Sequence, residues 1–285
     1  MYGNYFYYNG HTSQEFGLII VGFDTDTSVP LGLSRNVLAG EMNRFRKIPN
    51  FMGTAYEKTL SFSVSCMKSP CSDNDLVFTE DEVDEITSWI TGSDYPILFH
   101  MYDYEPDVYK KYDYFAVCSN VEAKTEGERI VGFTFSFVTT SPYAWTDLIT
   151  YQFTTDDDET PDEDDTRTVT ITVSNSERLH EIFPVIIIEP NLDGAGSGER
   201  VEVTLKNNRD GGEMTLSLLR DTTTIDCQRS IISGTAGLLS FEDLGIADVD
   251  QIYWFRLYDG ANEIEITGDA TVTFEYREPR KVGAY

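Results

Sequence analysis

Residues 255–279 read FRLYDGANEIEITGDATVTFEYREP. Apolar and polar positions alternate over 263–267 and again over 271–276, and the second run leads into a basic stop at 277–281. Alternation with a period of two places one side of a strand in a core and the other outside it. The same pattern runs back through 168–173, 183–189, 201–205, 213–219, 223–227, 230–232, 238–241 and 252–257. Turn signals stand at Asp193-Gly194, Gly211-Gly212 and Asp259-Gly260. Ten short strands with regular turns and no helical period predict a two-sheet sandwich over 167–285.

Upstream of it, residues 156–165 read DDDETPDEDD, eight carboxylates in ten positions. Such a run repels itself and cannot be buried, so 151–166 is expected to be a solvated linker or loop. A calcium site is the sharper alternative, because Ca²⁺ takes several carboxylate oxygens. The spacing matches no loop template and lacks the glycine such loops use.

Residues 1–150 read as a first domain of a different kind. An aromatic strand over 2–8 is followed by Asn9-Gly10, a tight-turn pair, and by a strand over 16–21. Residues 24–50 are mixed and read as a long loop or irregular arm, and 58–67 as a half-buried strand. One helix is expected, over 79–91. Thr79 with Glu82 makes a capping box, acidic side chains fill the first turns, Val83, Ile86, Trp89 and Ile90 share a face, and Gly92 ends it. Strands are expected over 97–102, 112–122 and 129–139. The fold class is therefore mainly β, with a β-rich N-terminal domain and a C-terminal sandwich.

The 285 residues carry 49 acidic and 21 basic side chains, net −28, and the excess is shared by both halves. A body this acidic repels phosphate backbones and anionic lipid, so neither nucleic acid nor membrane is an expected partner. The N-terminus has no basic start followed by an apolar core, and no apolar run is long enough to span a bilayer. Cys66, Cys71, Cys118 and Cys227 form no CxxC and are expected to be reduced, with a Cys66–Cys71 disulfide the alternative.

No catalytic device is visible. His11, His100 and His180 are scattered, and no GxSxG, HExxH or P-loop occurs. Residues 194–198 (GAGSG) sit between strands without a lysine or a helix start, which fits a hairpin tip better than a phosphate cradle. Glu263 and Glu265 share a strand face, but 49 acids guarantee such pairs. No catalytic residue, metal site or cofactor is expected. Two features point to protein contact instead. Arg35, Arg44, Arg46 and Lys47 concentrate positive charge on one arm, suited to an acidic neighbour such as another copy of the chain. Tyr5 and Tyr7 belong to an N-terminal strand richer in aromatics than one sheet face needs, and tyrosine is favoured at interfaces.

The order of motifs resembles a known family. YNGHTSQEFGLII (8–20), KTLSFSV (58–64), TEDEVDEITSWITG (79–92) and GFTFSFVTTSPYAW (132–145) are similar to the N-terminal domain of the distal tail proteins of siphophages. NSERLHEIFPVIII (175–188), IDCQ (225–228), GANEIEITG (260–268) and VTFEYREPRKV (272–282) are similar to their C-terminal domain. The resemblance implies a structural virion protein at the tail tip, made in the host cytoplasm. It implies a homo-hexameric ring formed by the N-terminal domain and a galectin-like C-terminal sandwich. The implied partners are the tail tube protein, a tail-associated tip or lysin protein, and receptor-binding or baseplate proteins. A carbohydrate-binding adhesin on the same scaffold, and a glycoside hydrolase with a sandwich accessory domain, are the competing readings of the residues.

Overall fold

The computed structural model describes residues 4–22, 35–40, 51–56, 59–70, 76–102, 112–154, 166–175, 181–191, 200–218, 221–248 and 251–281. The chain divides into two compact units, Met1–Asp147 with Arg280–Tyr285, and Leu148–Pro279.

The first unit contains β1 (Tyr5–Tyr8), β2 (His11–Thr12), β3 (Leu18–Ile20), β4 (Arg35–Ala39), β5 (Phe51–Tyr56), β6 (Ser61–Lys68), α1 (Glu80–Thr91), β7 (Ile97–Tyr102), β8 (Asp113–Glu126), β9 (Arg129–Thr139) and β10 (Ala144–Trp145). Its main sheet follows the order β2-β1-β7-β8-β9-β6-β3, with β10 against β8. Asn9 and Gly10 make the turn from β1 to β2, both with positive φ (46° and 80°), which is the geometry a two-residue hairpin of matching twist requires. One face of the sheet carries an aromatic core of Phe6, Tyr8, Phe99, Phe133, Phe135 and Phe137. Helix α1 supplies Ile86, Trp89 and Ile90 to that core. The Trp89 indole stacks on Phe6 with ring centres 5.5 Å apart, and its Nε1–H donates to the Tyr8 carbonyl at 2.8 Å. The expected capping box is formed in both directions between Thr79 and Glu82.

The second unit holds β11 (Ile149–Thr154), β12 (Thr166–Val173), β13 (Val185–Pro190), β14 (Val201–Asn207), β15 (Gly212–Leu218), β16 (Thr223–Asp226), β17 (Ile231–Gly234), β18 (Gly237–Leu238), β19 (Gly260–Thr267) and β20 (Ala270–Tyr276). Two antiparallel sheets, β11-β20-β13-β16-β17-β18 and β12-β19-β14-β15, enclose its core. Inward positions of the first sheet, among them Ile186, Ile188, Ile225, Val272 and Phe274, meet Val203, Leu205, Leu216, Ile264 and Ile266 of the second. Tyr151 and Phe153 of β11 lean onto Tyr276 and Phe274. A last strand, β21 (Pro279–Arg280), pairs with β10 in the sheet of the first unit.

Four details differ from the sequence reading. The second unit begins at Leu148, and 149–154 is a strand of the sandwich, taking 149–150 from the expected first domain and 151–154 from the expected linker, because its alternating Ile149, Tyr151 and Phe153 pack against the core. Residues 280–285 go with the first unit. Residues 252–257 form no ladder strand. A single bridge joins Leu257 to Ile182, and the Asn207 amide, not a strand, caps the Arg256 carbonyl at 2.8 Å. Phe255 and Leu257 still fill the core, which explains the apolar spacing. Finally, part of the arm expected to be irregular is a hairpin: β4 pairs antiparallel with β5. The acidic run 156–165 and the glycine-rich 194–198 lie outside the described residues.

Candidate assembly surfaces

The β4–β5 hairpin is a two-stranded sheet that joins no other sheet among the described residues. Its register pairs Arg35 with Tyr56, Val37 with Thr54 and Leu38 with Gly53, with a shift between Leu38 and Ala39. Neighbouring residues of a strand point to opposite faces, so Val37 and Leu38 make both faces apolar. Val37 is 64% exposed, Phe51 68% and Met52 71%. None of these residues belongs to the core cluster of the unit. Tyr56 anchors the base, packing edge-on against Tyr143 at 5.4 Å. A two-stranded hairpin is marginal in water by itself, and large apolar side chains on both its faces need a covering surface.

Of the expected contact residues, Arg35 opens β4. Arg44, Arg46 and Lys47 lie outside the described residues. Tyr5 is 3% exposed and stacks on Tyr102 at 5.7 Å, so in this chain its ring is already part of the packed body. Tyr7 is half-buried on the sheet face turned away from α1 and stacks on His100 at 5.0 Å. His100 Nδ1 stands 3.8 Å from Asp113 Oδ1. The hairpin's own apolar residues were missed in the sequence. The signal lay in two apolar doublets, Val37-Leu38 and Phe51-Met52, on either side of a gap and with strand-forming neighbours.

Several polar groups among the described residues are engaged in holding the fold. His11 Nδ1 pairs with Glu15 at 2.8 Å within an exposed turn, and this bond, with those from Thr12, holds the Glu15 carboxyl below its usual range. In the sandwich unit, Asp210 accepts from the hydroxyls of both Tyr253 and Tyr258, the latter at 2.8 Å, and from the Gly212 N–H at 3.0 Å. Burial pushes the Asp210 carboxyl up, but these donors together hold it below its usual range. Burial, then the Asp210 carboxylate, raise the Tyr253 hydroxyl. The cluster pins segment 251–258 to the β14–β15 turn. Glu265 is likewise engaged, accepting from Asn208 at 2.7 Å and Lys206 at 2.9 Å. Cys66 and Cys227 are buried free thiols, and burial raises both, Cys227 to about 12. Thiols in such apolar surroundings are inert. Among the described residues no three His, Cys, Asp or Glu side chains gather so as to hold a metal ion, and no helix is long and apolar enough to cross a membrane.

Among the described residues the two β-rich units carry a hairpin whose large apolar side chains stay exposed, a feature common in proteins that assemble with others. Family comparison agrees. A model of a phage tail protein N-terminal domain matches residues 1–141, and a model of a phage tail C-terminal domain matches residues 143–276. The chain belongs to this family of phage tail proteins. No curated protein matches the sequence. Among solved structures the chain is similar to the Dit protein (gp 19.1) of phage SPP1, described as a paradigm of the hub adsorption apparatus in phages infecting Gram-positive hosts. The TM-score is 0.61 at 12% identity, over 96% of this chain and 98% of that one. It is also similar to a chain of the phage p2 baseplate in its activated conformation, with Ca (TM-score 0.53) and with Sr (0.52). Each match is 11% identical over 93% of this chain and 92% of that one. Identities this low establish a shared fold.

Proposed function

We propose that this chain is the distal hub of a phage tail: a structural, non-enzymatic protein that forms a hexameric ring between the tail tube and the tail tip or baseplate. The observation that carries the reading is the likeness to the SPP1 hub protein across both units, nearly end to end on both chains, in a chain that belongs to a tail-protein family. The uncovered hairpin supports it. Burying a large apolar side chain is worth about 1.5–3 kcal/mol, so four of them offer roughly 6–12 kcal/mol before the entropic cost of association is met. In a head-to-tail ring each copy presents its hairpin to the next, and the cycle closes without leaving one exposed. Arg35, Arg44, Arg46 and Lys47, which lie on or next to the hairpin in the sequence, would meet the acidic neighbour, and Tyr7, with Tyr5 behind it, would border the same ring.

The test is the native mass of the purified chain together with its images by negative stain. Rings of six are expected. The pair Val37→Asp and Phe51→Asp should give folded single copies, and Arg44→Glu with Arg46→Glu should weaken the ring most at low ionic strength, the effect shrinking as salt is added. A chain that remains a monomer at high concentration and is absent from phage tails would overturn the reading.

A further inference from the structure

The two sheets of the sandwich unit have unlike outer faces. On β12-β19-β14-β15 the outward positions are those of a solvated surface: Lys206 stands opposite Glu265 on one side and Glu213 on the other, with Thr168 and Thr170 beyond. On β11-β20-β13-β16-β17-β18 the ladder registers place Gln152, Thr273, Ile187, Thr224, Ser233 and Leu238 side by side, one from each strand. This row crosses the whole sheet without a charge, in a chain whose residues are 25% charged. The central strand continues the pattern along its length. Phe183, Val185 and Ile187 occupy successive outward positions, and Phe183 is 38% exposed. Ile231, Leu238 and Phe241 add apolar surface at the sheet edge, 39%, 78% and 41% exposed.

The sequence FPVIIIEP (183–190) is apolar on both sides of its strand. A run of that kind marks a strand covered on both faces, whereas a strand with one wet face alternates. Here the inward side, Ile186 and Ile188, is fully buried, and among the described residues no sheet of its own unit lies over the outward side. We propose that this outer face is a docking surface for a different protein of the particle, one that presents apolar side chains ringed by lysine and arginine. The occupant follows from charge. The unit Leu148–Pro279 holds 28 acidic and nine basic residues, net −19. The uncharged row is bordered on the same face by Glu275 and Asp226 on one side and Glu189 on the other. Asp226 stands 3.7 Å from Arg229, and Arg277 is the next outward position after Glu275. A second copy seated on this face about a two-fold axis would bring Glu189 and Glu275 toward their own counterparts, inside a strongly negative body. A basic-rimmed partner meets the same border with attraction. A charge-poor centre within a charged rim is also how protein interfaces are built.

The inference rests on the tail reading, and its test separates the two. Phage particles carrying Ile187→Cys, Thr224→Cys or, on the opposite sheet, Thr170→Cys are treated with a maleimide, alongside the isolated variant chains. Labelling at positions 187 and 224 should be at least tenfold slower in particles than in the isolated chain, with position 170 unchanged. A benzophenone amino acid at position 187 should cross-link in particles to another protein, at a peptide flanked by basic residues. Equal labelling in particles and isolated chain, or a cross-link to a second copy of this chain, overturns the docking surface and leaves the tail reading standing. Absence of the chain from particles overturns both.

Discussion

Lys68 is a closely held cation of the first unit. Its side chain is 8% exposed, its ammonium lies 2.8 Å from Glu82 Oε1, and it sits 5.5 Å from the centre of the Phe78 ring. Glu82 is 37% exposed and also closes the helix cap. Lys68 first, then the Thr79 backbone, hold the Glu82 carboxyl below its usual value of 4.5. A carboxyl lowered on folding stabilises the native state fully above its unfolded pKa, and that contribution is lost as pH falls through the folded value. Glu82→Gln keeps the capping hydrogen bonds but removes the carboxylate charge 2.8 Å from a buried ammonium. It should cost about 1–2 kcal/mol near neutral pH, between the surface and buried limits for ion pairs. Urea unfolding as a function of pH should show the difference from the parent chain shrinking below about pH 4. Gly268 is a different kind of constraint. Its φ is +108°, and a Cβ there would lie 2.1 Å from the Glu202 carbonyl oxygen. Gly268→Ala must move the β19–β20 turn off β14, so a loss of about 3 kcal/mol or more is expected in the same assay.

At the scale of elements, α1 and the hairpin contrast. The helix is specified locally by its cap, its acidic first turn and an apolar face that meets a ready core. Thr79→Ala removes one half of the capping box and should lower stability by about 1 kcal/mol, read as a shifted urea midpoint at unchanged slope. The hairpin has a register, but among the described residues its apolar side chains join no core cluster of its unit. Substituting Met52→Ser should leave the melting temperature of a single copy nearly unchanged, because the side chain is 71% exposed. If the hairpin is the ring contact, the same change should raise the concentration at which rings form. The two readouts together tell an interface residue from a structural one.

Over the whole molecule, each unit has its own hydrophobic cluster, Phe6 to Ala144 in one and Ile171 to Tyr276 in the other. A unit with a separate core should fold independently. Residues 148–279 expressed alone are expected to unfold in one cooperative transition by circular dichroism. Failure to do so would mean that the boundary at Leu148 is wrong. Charge acts at this scale too. With a net charge of −28, self-repulsion is relieved by salt, so moving from 0.05 to 0.5 M NaCl should raise the melting temperature of the chain.

The helix over 79–91 and the strands over 97–102 and 129–139 were legible from sequence, because caps and strict alternation are local signals that each unit's core then reinforces. So was the mainly β character of both halves. Pairing was not legible. That 149–154 belongs to a sandwich sheet depends on its partner β20, more than a hundred residues away. That 252–257 is tied by one bridge and by Asn207 depends on side chains from another turn. The continuous apolar run at 183–188 could be read as a strand, but which of its faces meets the core and which stays open was decided by the register of six strands. Local sequence sets which residues can form a strand; the surface each strand finally presents is a long-range property, since it depends on what lies across the ladder and behind the sheet.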